Sequence, residues 1–263
     1  MTLSNIHPSA VVEEGARVGQ DCHIGPFCHI GSEVTLGDRV TLKSHVVVTG
    51  ITDIGPDTEI FSFSVLGEIP QDLKFKGEKT KLVIGARNRI REHVTMNTGT
   101  KGGGGLTSVG NDCLFMAGSH VAHDVQISNR VILVNSVAIG GHCVLENDVI
   151  VGGLSGVHQN VRIGQGAIIG AVTMVTNDVI PYGLVQAPRG ELDGLNLVGL
   201  KRKGVARSDI MALRAAFQML AQGDGTFQER SRRLGEETES EYVKKIVEFV
   251  KGNTERSFMT PGQ

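Results

Sequence analysis

Two polar series recur at a spacing of eighteen residues: His123, Gly141 and Gln159 in one, Asp124, His142 and Asn160 in the next. If one turn of the chain took eighteen residues, each series would stack into a column with members about 4.8 Å apart, the spacing of neighbouring strands. An imidazole, a carboxylate and a residue without a side chain would then share one place. An imidazole beside a carboxylate can take up and return a proton near neutral pH, which makes His123 and Asp124 candidates for acid–base work. His120 adds a second imidazole nearby, and His158 adjoins Gln159. His120 and His123 also have His-x-x-His spacing, so a metal reading with Asp124 and His142 as further ligands is open on the residues alone. His7, His23, His29, His45 and His93 have no such company and read as solvated side chains.

The elements that must hold these residues announce themselves by a six-residue apolar beat. Val12, Val18, Ile24, Ile30, Leu36, Leu42, Val48, Ile54, Ile60 and Leu66 keep one register, Ile84, Ile90 and Met96 continue it, and Val109 to Val175 resume it shifted by one. A helix repeats at 3.6 and an ordinary strand at 2, so a period of six predicts a repeat architecture in which stacked units bury one continuous core. Small residues recur four places after the beat. Cys22, Cys28, Cys113 and Cys143 all fall in that slot, without Cys-x-x-Cys spacing, and are expected to be core thiols rather than disulfides or metal ligands.

Two stretches break the pattern, near 68–83 and near 97–108, and are expected to leave the repeat as loops. After Pro181 the spacing turns helical. Ser208 and Asp209 can open a helix carrying Met211, Leu213, Ala216, Phe217 and Leu220, ending before Gly223. Thr226 and Glu229 have capping-box spacing, and Ser240 precedes a stripe of Val243, Ile246, Val247 and Val250. The last residues, Ser257 to Gln263, are expected to fray. The organisation predicted is therefore residues 1–186 in the repeat and 187–263 in a small helical domain.

Bulk properties narrow the function. A formal charge of −2 gives no electrostatic case for nucleic-acid binding, and no apolar run approaches the length of a membrane span. With no basic, apolar leader at the N-terminus, a cytoplasmic location is expected. Hydrophobic content of 40% with only 4% aromatics and 35 glycines suits a narrow core with tight corners.

The hexads, such as Ile24 to His29 and Leu36 to Thr41, resemble those of the hexapeptide-repeat transferases. That resemblance implies an all-β left-handed parallel β-helix with three hexads, eighteen residues, per coil. The match becomes closer in Gly67 to Phe75, His120 to Asp124, Gly140 to His142, Val157 to Gln159 and Gly194 to Gly204, where the chain resembles the UDP-N-acetylglucosamine O-acyltransferases of lipid A synthesis over essentially its whole length. The resemblance implies transfer of a 3-hydroxyacyl chain from acyl carrier protein to the 3-hydroxyl of UDP-N-acetylglucosamine by a homotrimer, without metal or organic cofactor. His123 would be the general base, Asp124 its orienting carboxylate, and the Gly141 N–H the donor to the developing oxyanion. Substrate contacts carry over to Gln71, Asp72, Lys74, His120, His142, His158, Gln159, Asn196, Arg202 and Lys203, with the loop residues reaching toward a neighbouring subunit. Lys201 to Lys203 and Arg207 form a basic run suited to phosphate or to an acidic carrier protein. Ala171 stands where the family sets acyl length and predicts a donor of ten to fourteen carbons.

Departures lie at Asn97, where the family's pattern has histidine, at Val198 in place of an acidic residue, and at Lys203 in place of arginine. The rivals on the same fold are an N-acyltransferase, which normally carries a further domain before the repeat, a coenzyme-A-dependent acetyltransferase, and a zinc enzyme like the γ-class carbonic anhydrases. A non-catalytic binding solenoid would leave the polar columns unexplained.

Overall fold

In the computed structural model, which describes residues 4–186, 191–222, 224–252 and 257–260, most beat residues end a short strand and a corner follows. The strands stack into three sheets of eleven, nine and eight strands, parallel except for one antiparallel strand at the end of the first, that form the three faces of a left-handed parallel β-helix. Strand partners lie eighteen residues apart: Ile6 pairs with Ile24, Val12 with Ile30, and Val18 with Leu36. The beat residues point inward, and Ile24, Ile30, Leu42, Ile60, Leu66, Leu133 and Ile139 are wholly buried. Burying one such side chain contributes about 1.5–3 kcal/mol, so the period-six pattern is the source of the fold's stability.

The corners turn because one residue in many of them adopts a left-handed backbone, including Phe27, Arg39, Asp57, Asp124, His142 and Asn160, all with φ near +60°. That conformation is unfavourable for side chains with a Cβ. Stacking between coils offsets it differently at each corner. Between the first and second faces, the rings of Phe27, His45, Phe63 and His93 stack with centroids 4.9, 5.0 and 5.2 Å apart. Between the third and first faces, Arg39 pairs with Asp57, Arg87 with Asp112, and Arg130 with Asp148 at 2.7–2.8 Å. The remaining corner carries Asp124, His142 and Asn160.

Two loops leave the coil. Ile54 pairs with Ile84, thirty residues on, and Ile84 with Val109, twenty-five on, so both insertions leave from the second corner or just before the third face. The first leaves after Glu68 and rejoins at Lys81; the second leaves after Asn97, makes one 3-10 turn at Lys101–Gly103, and rejoins at Leu106. The four cysteines sit inside the coil as expected, all of them buried thiols. Each thiol donates to the carbonyl fifteen residues on: Cys22 to Gly37, Cys28 to Lys43, Cys113 to Ser128 and Cys143 to His158.

Beyond the last coil, an unanticipated strand, Glu191–Leu195, pairs antiparallel with Gly183–Gln186. Helices α1 (Leu197–Arg202), α2 (Arg207–Ala221), α3 (Phe227–Glu237) and α4 (Glu241–Lys251) follow. The capping box of Thr226 and Glu229 is present. Two expectations need correction. In α2, Ile210 is buried and Met211 is 55% exposed, so the apolar face begins one residue earlier than its spacing suggested. The segment from Ser257 does not fray at its start: the Asp178 N–H donates to the Ser257 carbonyl at 2.9 Å, the Met259 N–H donates to the Asp178 carbonyl at 2.7 Å, and Met259 is buried. Gly223 and residues 261–263 lie outside the described residues.

Candidate active site

His120 stands on the strand His120–Val121 of the second face, and His123 and Asp124 occupy the corner that follows it. The next coils place Gly141 and His142, then Gln159 and Asn160, at the same corner, because the register of eighteen persists through His120, Ala138 and Gly156. The columns expected from spacing are therefore real. Backbone bonds hold them together: the His142 N–H donates to the His123 carbonyl at 3.1 Å and the Asn160 N–H to the Gly141 carbonyl at 2.9 Å.

His123 Nδ1 lies 2.8 Å from Asp124 Oδ2. Pairing with a carboxylate fixes the hydrogen on Nδ1 and leaves Nε2 as the basic nitrogen. Asp124 is 3% exposed and has no freedom to wander. Its Oδ1 accepts the Thr100 N–H at 2.8 Å, its Oδ2 accepts the Thr100 hydroxyl at 2.6 Å, and its own N–H donates to Thr107 Oγ1 at 2.8 Å. Sequence reasoning did not single out Thr100 or Thr107. Their loop breaks the beat, so no spacing rule links them to Asp124.

Gly141 lies against the His123 ring. A Cβ at residue 141 would come within 2.6 Å of His123 Cε1 and 2.8 Å of Nε2. Only glycine lets the imidazole and this stretch of backbone approach so closely. Among the described residues the Gly141 N–H has no hydrogen-bond acceptor.

His142 meets the His123 ring edge-on with centroids 5.0 Å apart, and its Nδ1 is 3.8 Å from Asp124 Oδ2. His123, Asp124 and His142 thus offer ligand atoms within 4.8 Å of one another. A metal there would have to share an Asp124 carboxylate that already serves Thr100 and His123. His120 stands apart from that group: its Nδ1 is 2.7 Å from Thr95 Oγ1, and burial, reinforced by nearby His123, lowers its pKa and favours the neutral ring.

Asp72 and Lys74 line a cavity of about 240 Å³ together with Phe75, Thr100, Lys101 and His142 of the same chain, so the two inserted loops close over the corner. Gln71 is exposed beside them, and His158 and Gln159 are exposed on the coil above Gly141. Asn97 ties the loops together by donating to the Ile69 carbonyl at 2.9 Å. Asn196 is occupied within the chain: it caps α1 by accepting the Gly199 N–H at 2.9 Å and donates to the Gly166 carbonyl at 3.0 Å. Arg202 is exposed, whereas Lys203 pairs with Asp148 at 2.6 Å. Ala171 is exposed at a different corner, between the first and second faces, across the second face from Gly141. On that face the outward residues run His120, Ala138, Gly156 and Met174, and Met174 folds back toward Gly156.

The chain is similar to known proteins over most of its length. A family model described as UDP N-acetylglucosamine O-acyltransferase, domain 2, matches residues 178–259, and one for bacterial transferase hexapeptide repeats matches residues 15–50. An acyl-[acyl-carrier-protein]–UDP-N-acetylglucosamine O-acyltransferase of Paracoccus denitrificans is 65% identical over 203 residues, 77% of each chain. The protein so named in Rhizobium johnstonii is 46% identical over 259 residues, 98% of this chain and 95% of that one. Among solved structures, LpxA from Acinetobacter baumannii superposes with a TM-score of 0.94 at 36% identity, covering 97% of this chain and 99% of that one. UDP-N-acetylglucosamine acyltransferase from Arabidopsis gives 0.85 at 32% identity, covering 97% and 99%.

Proposed function

The chain belongs to the acyl-[acyl-carrier-protein]–UDP-N-acetylglucosamine O-acyltransferase family, and from that premise we propose that His123, Asp124 and Gly141 carry out the acyl transfer. The enzyme moves an acyl chain from acyl carrier protein to UDP-N-acetylglucosamine, the first step of lipid A biosynthesis. In our reading the donor is a 3-hydroxyacyl thioester and the acceptor is the sugar 3-hydroxyl. His123 Nε2 takes the hydroxyl proton as the oxygen attacks the thioester carbonyl, because an alcohol is a poor nucleophile until that proton is removed. Asp124 holds the ring and stabilises the imidazolium. The carbonyl oxygen gains charge as the C–O bond forms, and the Gly141 N–H receives it. The C–S bond then breaks, and His123 returns the proton to the departing sulfur.

The observation that carries this reading is the imidazole fixed at Nδ1 by a clamped carboxylate and laid against a glycine whose N–H has no acceptor among the described residues. Substrate binding is assigned to Gln71, Asp72, Lys74, His120, His142, His158, Gln159, Asn196, Arg202 and Lys203. The position of Asp72 and Lys74 beside His142 supports part of that assignment. Ala171 is assigned as the acyl-length ruler. It stands across a face from Gly141, which fits a groove completed by neighbouring copies in a homotrimer. Reaction needs no resident metal or cofactor in this scheme. A cytoplasmic location fits a chain in which no helix, among the described residues, is long and apolar enough to cross a membrane.

The test is turnover of UDP-N-acetylglucosamine with a panel of 3-hydroxyacyl carrier proteins, with product identified by mass. Absence of product with every donor length would overturn the reading. The group of His123, Asp124 and His142 keeps a zinc enzyme as the second reading. Loss of activity on exhaustive chelation, together with stoichiometric metal in the purified protein, would establish it instead.

A further inference from the structure

We propose that Thr100 is a positioning residue for the His123–Asp124 pair, and that the glycine-rich loop carrying it serves as a clamp on the Asp124 carboxylate. The inference rests on the acyl-transfer reading of that pair. Asp124 Oδ2 receives two donors, the Thr100 hydroxyl at 2.6 Å and His123 Nδ1 at 2.8 Å, while Oδ1 receives the Thr100 N–H at 2.8 Å. The Gly103 N–H donates to Thr100 Oγ1 at 3.2 Å. That donor occupies an oxygen lone pair and leaves the hydroxyl hydrogen directed to the carboxylate, so the bonds form one polarised chain from Gly103 through Thr100 and Asp124 to His123.

The glycines of the loop have a specific task here. A Cβ at Gly99 would come within 2.8 Å of Asp124 Oδ1, and one at Gly103 would meet the Asp124 carboxylate directly. Gly99 and Gly103 therefore pack against a side chain of their own chain, and the insertion that breaks the repeat brings the clamp to the coil that carries His123.

The clamp is needed because Asp124 has a competing partner. His142 Nδ1 is 3.8 Å from the same Oδ2 that holds His123. A carboxylate freed from Thr100 could divide itself between the two imidazoles, and His123 would lose its fixed orientation and tautomer. The other ionisable groups close to this pair are His120 on the adjoining strand and Asp72, Lys74, Glu78 and Lys101 around the neighbouring cavity. None of these is hydrogen-bonded to Asp124 among the described residues.

The test compares wild type, Thr100→Val and Thr100→Ser in the carrier-protein assay and by NMR of the histidine ring nitrogens. Thr100→Val should lower kcat by about ten- to a hundredfold with KM little changed, the scale of one hydrogen bond to a charged group. Thr100→Ser should restore most of the rate. Thr100→Val should cost little more when added to Asp124→Asn, because both remove the same support. The His123 signal should report one Nδ1–H tautomer in wild type and a mixture in Thr100→Val. If Thr100→Val fails to fold, Thr100→Ala carries the same expectations. Wild-type kcat in the hydroxyl-free variant, losses that multiply in the double variant, or an unchanged His123 tautomer would overturn the proposal. Inactivity of the wild type itself would instead sink the acyl-transfer reading, while the tautomer comparison would still decide whether the clamp exists.

Discussion

At His123, reactivity depends on what Gly141 lacks. Gly141→Ala would put a methyl group where the imidazole now lies, within 2.6 Å of Cε1, so the ring must move away from Asp124 or the corner must open. The variant should fold, because the corner faces outward, and turnover should fall toward the roughly 10²–10⁴-fold that a lost general base causes, since alanine keeps the N–H but displaces the imidazole. His123→Ala should lower turnover by about 10²–10⁴-fold while leaving the melting temperature nearly unchanged, since no core side chain is lost. Product mass and thermal melting check both. His120 supplies the pH test. Burial lowers its folded-state pKa below the ordinary histidine value, so the unfolded chain binds its proton first as pH falls. Its contribution is complete above about pH 6.5 and is lost as pH falls from there through the folded-state value. His120→Gln should therefore flatten the decline of stability with acid in that window, read from melts between pH 7 and 5. The His123 and Asp124 columns were legible from spacing because register is fixed by backbone pairing. Thr100 was not, because the second insertion removes the arithmetic that would connect it to the corner.

Among the elements, the strands were readable and the helices only partly so. Each strand's inward residue is named by the beat, whereas the buried face of α2 is set by what packs on it, and the chain buries Ile210 in preference to Met211. Ser240 shows the same limit: it precedes the apolar stripe and sits at the N-cap of α4, yet its hydroxyl donates to Asp209 at 2.8 Å instead of capping. The docking of Ser257 to Met259 on Asp178 had no local signal, because an isolated bridge depends on a partner about eighty residues away. The basic run divides once α1 is in place. Lys203 is paired with Asp148, while Arg202 is exposed and available to a phosphate. Arg202→Ala should raise the apparent KM for the phosphate-bearing substrate, with the difference shrinking as salt rises, and Lys203→Ala should do less. Equal KM values for Arg202→Ala and wild type at low ionic strength would return the run to an ordinary solvated surface.

For the molecule as a whole, stability is distributed along one axis. Each coil contacts chiefly the coils above and below it, so the energy is close to a sum of coil and interface terms. Leu133 is wholly buried in the middle of that stack. Leu133→Ala should cost about 2–5 kcal/mol in equilibrium denaturation, as a cavity that the rigid coils cannot close. A loss below about 1 kcal/mol would mean that the stack collapses around the gap, contrary to the close packing assumed here.

The four buried thiols turn this linear construction into something that can be timed. Burial raises the pKa of Cys22 and Cys28, and pushes that of Cys113 up to about 11, so none of these offers much thiolate while its coil is closed. Cys143 is equally hidden, in the coil of Gly141. An alkylating reagent can therefore capture each sulfur only after local opening, and the rate of capture measures how often that coil opens. Cys22 and Cys28 record the first coils, Cys113 the coil where the second loop rejoins, and Cys143 the floor beneath the corner of His123 and Gly141. The order in which the four are labelled would reveal from which end the spiral unwinds.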